Sequence, residues 1–163
     1  MADNFIKLNK NDSVLKFEIR TDDNKPTGEF LEFDLEDIEL PLKYQQVIEM
    51  DEKNKKNLQN QLFLIEKRQD IRGKKLLSKN EEDKIRALNE FYKKEIEIYN
   101  MFLGKNGVQK LLNGQKINWT SLNVIDEIIE KQIAPKLDFK MENITNKIKA
   151  KYANIGENDE VLK

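Results

Sequence analysis

Histidine and cysteine, the side chains that most often move a proton, attack a carbonyl or hold zinc near neutral pH, are both absent from the 163-residue chain. Their absence closes the Ser-His-Asp and Cys-His arrangements. It also closes disulfides and cysteine zinc sites, and gives no sign of an oxidising compartment. Carboxylates remain, and the tightest group is Asp34, Glu36, Asp37 and Glu39. Several oxygens together suit a hard cation, but EF-hand spacing and its glycine are missing, so a solvated acidic strand end is the plainer reading. Gly104-Lys105-Asn106-Gly107 lacks the GxxxxGK[ST] spacing, and no GxGxxG follows a strand, so no phosphate cradle is visible. The expectation is a chain with no catalytic residue, no metal and no cofactor.

Two patterns point to binding instead. Tyr99, Phe102, Leu103 and Trp119 cluster around the connection from Gly104 to Gly114. Such aromatic residues are either core or, where exposed, a groove into which an amphipathic helix of a partner can lie. The basic stretch Lys67, Arg68, Arg72, Lys74, Lys75 and Lys79 has only Glu66 and Asp70 as acidic neighbours within it. It could meet phosphate, yet no nucleic-acid motif accompanies it, so nucleic-acid binding is disfavoured.

Charge is unevenly distributed. The net charge is −1, but residues 1–40 hold five basic and eleven acidic side chains, a net −6, and the remainder therefore carries +5. An acidic head and a basic body can join copies head to tail. The residues expected to do so are Phe17, Phe33, Asp34, Glu36 and Asp37 on the head, with Arg68, Arg72, Lys74 and Lys75 on the body; two solvated faces are the plainer alternative.

The elements that must position these residues follow from periodicity. Leu15, Phe17 and Ile19, then Leu31, Phe33 and Leu35, alternate with charged residues, which predicts a β-hairpin. The turn-forming run Thr21 to Gly28 predicts a long, mobile loop between the strands. From Pro41 a helix is expected to run towards Arg72 and end at Gly73, with a polar stretch, Asp51 to Asn57, that bridges solvent or breaks it. Ser78 with Glu81 forms a capping-box pattern for a second helix, carrying Ile85, Leu88, Tyr92, Ile96, Tyr99, Phe102 and Leu103 and ending at Gly104. A short helical turn around Val108, Leu111 and Leu112 follows. Thr120 or Ser121 is expected to cap a helix with Leu122, Ile125, Ile128, Ile129 and Ile133 inward, closing near Pro135. Met141, Ile144, Ile148 and Tyr152 predict a last helix.

The resulting expectation is a mainly α fold: about four to six helices with an N-terminal β-hairpin. Six Gly, three Pro and 36% charged residues agree with this, describing a helix-rich chain with a lean core. The domain reading is residues 1–40 as a hairpin appendage, 41–156 as the helical domain and 157–163 as a flexible tail. No run reaches the length of a bilayer span and the first residues lack a signal-peptide pattern, so a cytoplasmic location is expected. No heptad repeat is sustained, which disfavours a long coiled coil.

The order of features resembles a known family. An acidic hairpin ends Phe33-Asp34-Leu35, a helix starts at Leu40-Pro41-Leu42, and a charged helical middle leads to Met101-Phe102-Leu103-Gly104-Lys105-Asn106-Gly107-Val108-Gln109-Lys110-Leu111-Leu112. A helix then closes on Ile133-Ala134-Pro135-Lys136-Leu137. From Val14 to Leu137 this resembles the tail assembly chaperones of long-tailed phages or prophages of Gram-positive bacteria. The resemblance implies a non-enzymatic helper in the host cytoplasm that forms spiral homo-oligomers and coats the tape measure protein, with the major tail protein open as a further partner. It also implies that a longer form is made by translational frameshifting. A structural tail or baseplate component and a small nucleic-acid-binding regulator are the competing readings.

Overall fold

The computed structural model describes residues 4–8, 13–137 and 149. Strands β1 (Val14–Arg20) and β2 (Pro26–Asp34) form an antiparallel hairpin in which Leu15 faces Phe33 and Phe17 faces Leu31. The expected long loop is instead five residues. Thr21 N–H donates to the Lys25 carbonyl at 2.8 Å, and Asn24 takes a left-handed conformation, φ 61°, which asparagine tolerates. Pro26, Thr27 and Gly28 belong to β2. Gly28, at φ 84°, lies in a bulge where residues 27–29 oppose Ile19 alone.

Helix α1 (Leu40–Lys67) is one unbroken element of 28 residues, so the polar stretch from Asp51 to Asn57 does not interrupt it. It ends before the expected Gly73. Arg68 is already extended, its carbonyl accepts from Asn80 Nδ2 at 3.1 Å, and the Ile71 carbonyl accepts from Lys79 N–H at 2.8 Å. Those bonds draw residues 68–78 into a loop, with Ile71 in it. Ser78 then caps helix α2 (Lys79–Leu103) by accepting from Glu81 N–H, and Gly104 ends it at φ 91°. Of the expected stripe of α2, Tyr99, Phe102 and Leu103 are buried and Leu88, Tyr92 and Ile96 pack partly buried against the core, joined by Phe91 and Ile98, whereas Ile85 is exposed.

Gly104 to Gly107 is a corner. Asn106 is left-handed, and a Cβ on Gly107 would collide with Leu103 Cβ, so α3 (Gly107–Leu112) can start only where no side chain intervenes. Helix α4 (Trp119–Glu127) is capped by Asn118, two or three residues before the expected caps, with Ser121 closing a reciprocal capping box. The helix also does not stop at Pro135. A π-helical segment, Ile128–Ile133, widens the backbone, so that Ala134 N–H bonds the Ile129 carbonyl, and α5 (Ala134–Leu137) includes Pro135. The wider turn is compatible with a proline, which cannot donate to the next bond. The helix expected around Met141 to Tyr152, and the residue-156 boundary and tail, lie outside the described residues apart from helical Lys149.

The fold is therefore mainly α with an N-terminal hairpin. One hydrophobic cluster contains both parts: Leu31 and Phe33 from β2 pack with Phe102, Val108, Leu122 and Ile133 from the helices. The Phe33 and Phe102 ring centroids are 5.1 Å apart, and Tyr44 meets Phe102 at 5.3 Å. No described helix is long and apolar enough to cross a membrane.

Candidate functional site

One face of the polar middle of α1 is turned inward, while Glu52, Lys53, Lys56 and Asn57 are exposed. Val47, Asp51, Asn54, Lys55 and Leu58 recur at three- and four-residue steps, which places them on one face of a helix, and that face packs against α2. Asn54 and Glu95 are buried, Glu95 completely. Asn54 Nδ2 donates to Glu95 Oε1 at 2.9 Å and to the Phe91 carbonyl at 3.2 Å. Lys55 pairs with Asp51 at 3.0 Å and approaches Asp126 of α4 at 4.0 Å, while Tyr99 donates a hydrogen bond to Asp126.

Electrostatics follow from this crowding. Burial pushes Glu95 up to about 8, and its contact with Asp51 adds to the rise. With both groups ionised, Asp51 Oδ1 and Glu95 Oε2 are buried acceptors without a donor. A proton on Glu95 supplies one to both. Burial works to lower Lys55, but its bond to Asp51 and the surrounding carboxylates outweigh that and leave it raised. Burial raises Tyr99 and Asp126 too, and Asp126 adds to the rise of Tyr99. Among the described residues no group of His, Cys, Asp and Glu side chains is arranged to hold a metal ion. The network joins α1, α2 and α4 through the Asn54–Glu95, Lys55–Asp51, Lys55–Asp126 and Tyr99–Asp126 contacts.

Of the four aromatic and apolar residues singled out in the sequence, Tyr99, Phe102 and Leu103 lie in the core. Trp119 alone is exposed, at 48%. Its ring stacks on Phe91 at 6.1 Å and lies 5.8 Å from the Lys55 ammonium, over one side of the buried network. The structure thus brings the four together around α2 but presents only one to a partner.

The head and body charges are largely used within the chain. Phe33 is buried, and Phe17 meets its edge at 5.7 Å. Asp34 accepts from Ser13 Oγ at 2.6 Å and from Glu36 N–H at 3.0 Å; Asp37 accepts from Glu39 N–H and pairs with Lys43 at 3.3 Å. Glu36 is exposed. On the body, compensation comes from the start of α2 rather than from Glu66 and Asp70 alone. Arg68 pairs with Asp83 at 2.8 Å, Arg72 with Glu81 at 2.7 Å and Lys75 with Glu82 at 3.9 Å. Of the four body residues, Lys74 has no ion pair among the described residues.

Those pairs brace a loop whose apolar residues sequence reading assigned elsewhere or passed over. Asp70 accepts from Asn80 N–H at 3.0 Å, and its bonds to Ser78 and Asn80 lower its pKa. On this braced loop Ile71 and Leu76 are 70% and 89% exposed, and Phe63, Leu64 and Ile85 are exposed on the adjoining helix ends. Glu66–Lys84 and Arg68–Asp83 contacts set these ends side by side. The signal that could have found this surface is a single one: Phe63-Leu64 and Leu76-Leu77 fall outside any stripe shared with the core residues.

The chain matches no protein-family model, no curated protein and no solved structure in comparison with each.

Proposed function

We propose that the chain is a non-enzymatic tail assembly chaperone of a phage or prophage, which self-associates and shields the tape measure protein in the host cytoplasm. The resemblance described above motivates the family. The observation that carries the protein-binding part is the display of Phe63, Leu64 and Ile85 on the helix ends at one end of the α1–α2 pair, with Ile71 and Leu76 on the connecting loop held by Asp70, Ser78 and Asn80. Large apolar side chains shown to solvent on a braced support suit an amphipathic helical client. Repetition of such a contact along one long client makes weak single contacts sufficient.

Co-expression with a helical tape-measure segment tests the reading. The parent chain is expected to keep the segment soluble and co-purify with it, and Leu64→Asp with Leu76→Asp to lose both effects while keeping the parent's circular dichroism. A client that stays insoluble, with no complex recovered, would sink the proposal. Recovery of the chain in purified mature particles would favour a permanent tail component instead.

A further inference from the structure

We propose that the open edge of β1 takes up the N-terminal segment Asn4–Leu8 of a neighbouring copy as a third strand, joining copies head to tail. This rests on reading the chain as self-associating, and it names the contact through which it does so.

The acceptor is an unpaired strand edge. Among the described residues β1 pairs with β2 alone. The Ser13 carbonyl accepts from Leu35 N–H and the Ile19 carbonyl from Thr27 Oγ1, so residues 13, 15, 17 and 19 direct their backbone groups towards β2. By alternation, the N–H and C=O groups of Val14, Lys16 and Glu18 point to the other edge. At the turn end of β1 lies a cleft of about 680 Å³, lined on the hairpin side by Phe17 and Ile19 together with Leu31 of β2, and on the other by α3, α4 and the π-helical segment, with Val124 and Ile128 facing it. Val124 is exposed there. An edge with pockets for alternate side chains is what strand addition requires.

The donor has the matching pattern. Asn4 to Leu8 lie outside any helix or strand, and Phe5, Ile6 and Leu8 are 74%, 91% and 92% exposed. In an extended chain Ile6 and Leu8 share one face, and Phe5 and Lys7 share the other. With Ile6 and Leu8 on the side of Phe17 and Ile19, they would cover Val124 and Ile128. Phe5 and Lys7 would then lie beside Lys16, Glu18 and Arg20, where Lys7 can pair with Glu18. Lys16 already holds its ammonium 4.4 Å from the Phe30 ring, so a second ring on that face meets a suitable cation. A slip of one residue would turn Lys7 inward and the two aliphatic side chains out, which fixes the register.

The contact propagates because donor and acceptor are different surfaces. Among the described residues of one copy neither finds a partner; in a second copy each finds its complement, and the new copy again offers a segment and an edge. An exposed apolar segment and an open edge are each association hazards if unused. Their pairing removes both.

The absence of cysteine makes the test direct. A chain carrying Leu8→Cys is mixed with a differently tagged chain carrying Val124→Cys, so a disulfide between the two tags must join two copies. It is expected to form roughly tenfold faster than with a Lys93→Cys acceptor, as the local concentration of a seated segment dictates. An excess of a synthetic peptide spanning residues 2–9 should suppress it, and the same peptide N-methylated at alternate amides should not. In light scattering, Ile6→Asp with Leu8→Asp should reduce the parent's mass to that of single chains, with unchanged circular dichroism. If the parent associates but cross-linking is no faster than the control, or the double variant keeps the parent's mass, strand donation is wrong while self-association stands. If cross-links form only in chains carrying both cysteines, the strand folds back on its own copy and the proposal is overturned. A parent that stays at 19.3 kDa at every concentration would overturn the self-association reading itself.

Discussion

The two halves of the α1–α2 pair are held by different physics. In the near half, Val47, Leu58, Phe91, Ile98 and Phe102 are buried around Asn54 and Glu95. In the far half, from residue 59 to residue 90, no hydrophobic side chain is buried; Ser78 and Asn80 are the buried groups, and ion pairs link the helices. The near half gains from area removed from water. The far half relies on polar bonds that brace a loop; Leu62, Ala87 and Leu88 are partly buried against the core, while Phe63, Leu64, Ile71, Leu76 and Ile85 stay exposed. The same two helices thus serve as core at one end and as display surface at the other.

The largest effect that could break this contrast is a core truncation set against an equal one in the far half. Phe102→Ala removes the ring that joins Phe33 to Tyr44 and should cost about 3–5 kcal/mol in urea unfolding. Leu64→Ala, at an exposed position, should stay within about 0.5 kcal/mol. Equal losses would show that the far half is also packed.

Next in size is the shared proton. Glu95 sits at about 8 in the folded chain against the usual 4.5, so the folded state keeps a proton that the unfolded chain gives up. The associated stability is complete below about pH 4.5 and is lost as pH rises through about 8. Glu95→Gln, whose amide donates to Asp51 at any pH, should be more stable than the parent at pH 9 by about 2 kcal/mol and should flatten the decline. A parent whose melting temperature is level from pH 5 to pH 9 would contradict a protonated Glu95.

Smaller effects probe the far half. Ser78→Ala removes the α2 cap and a bond to Asp70, and should cost about 1 kcal/mol in the same unfolding assay. It should also weaken client capture if bracing of Ile71 and Leu76 matters. Arg68→Ala, which breaks an exposed pair with Asp83, should cost less than about 1 kcal/mol, and the difference from the parent should shrink at high salt. A salt-independent loss would mean that Arg68 acts through packing of its stem.

Much of the fold was legible because its signals are local. Alternation marked the hairpin, Ser78 marked the start of α2, and Gly104 its end. The misplaced boundaries share a cause as well. Residues 68–78 leave the helix because Asn80, twelve positions away, takes up the Arg68 carbonyl. The helix continues through Pro135 because the π-helical segment widens it. Neither event is written in the residue at the boundary. The candidate surfaces were less legible: of Tyr99, Phe102, Leu103 and Trp119, three are core, since burial depends on which helix covers them.

By itself the sequence determined what is settled by neighbours along the chain: helix and strand periods, caps, turns, the lack of histidine and cysteine, and the excess of acid before residue 40. Tertiary structure alone decided how the polar run of α1 is used. Asp51, Asn54 and Lys55 read as a solvated stretch until Glu95 and Asp126 are brought opposite them. Whether a charged side chain is a surface group or part of a buried network depends on partners distant in sequence, because desolvation and pairing are properties of the space around a side chain.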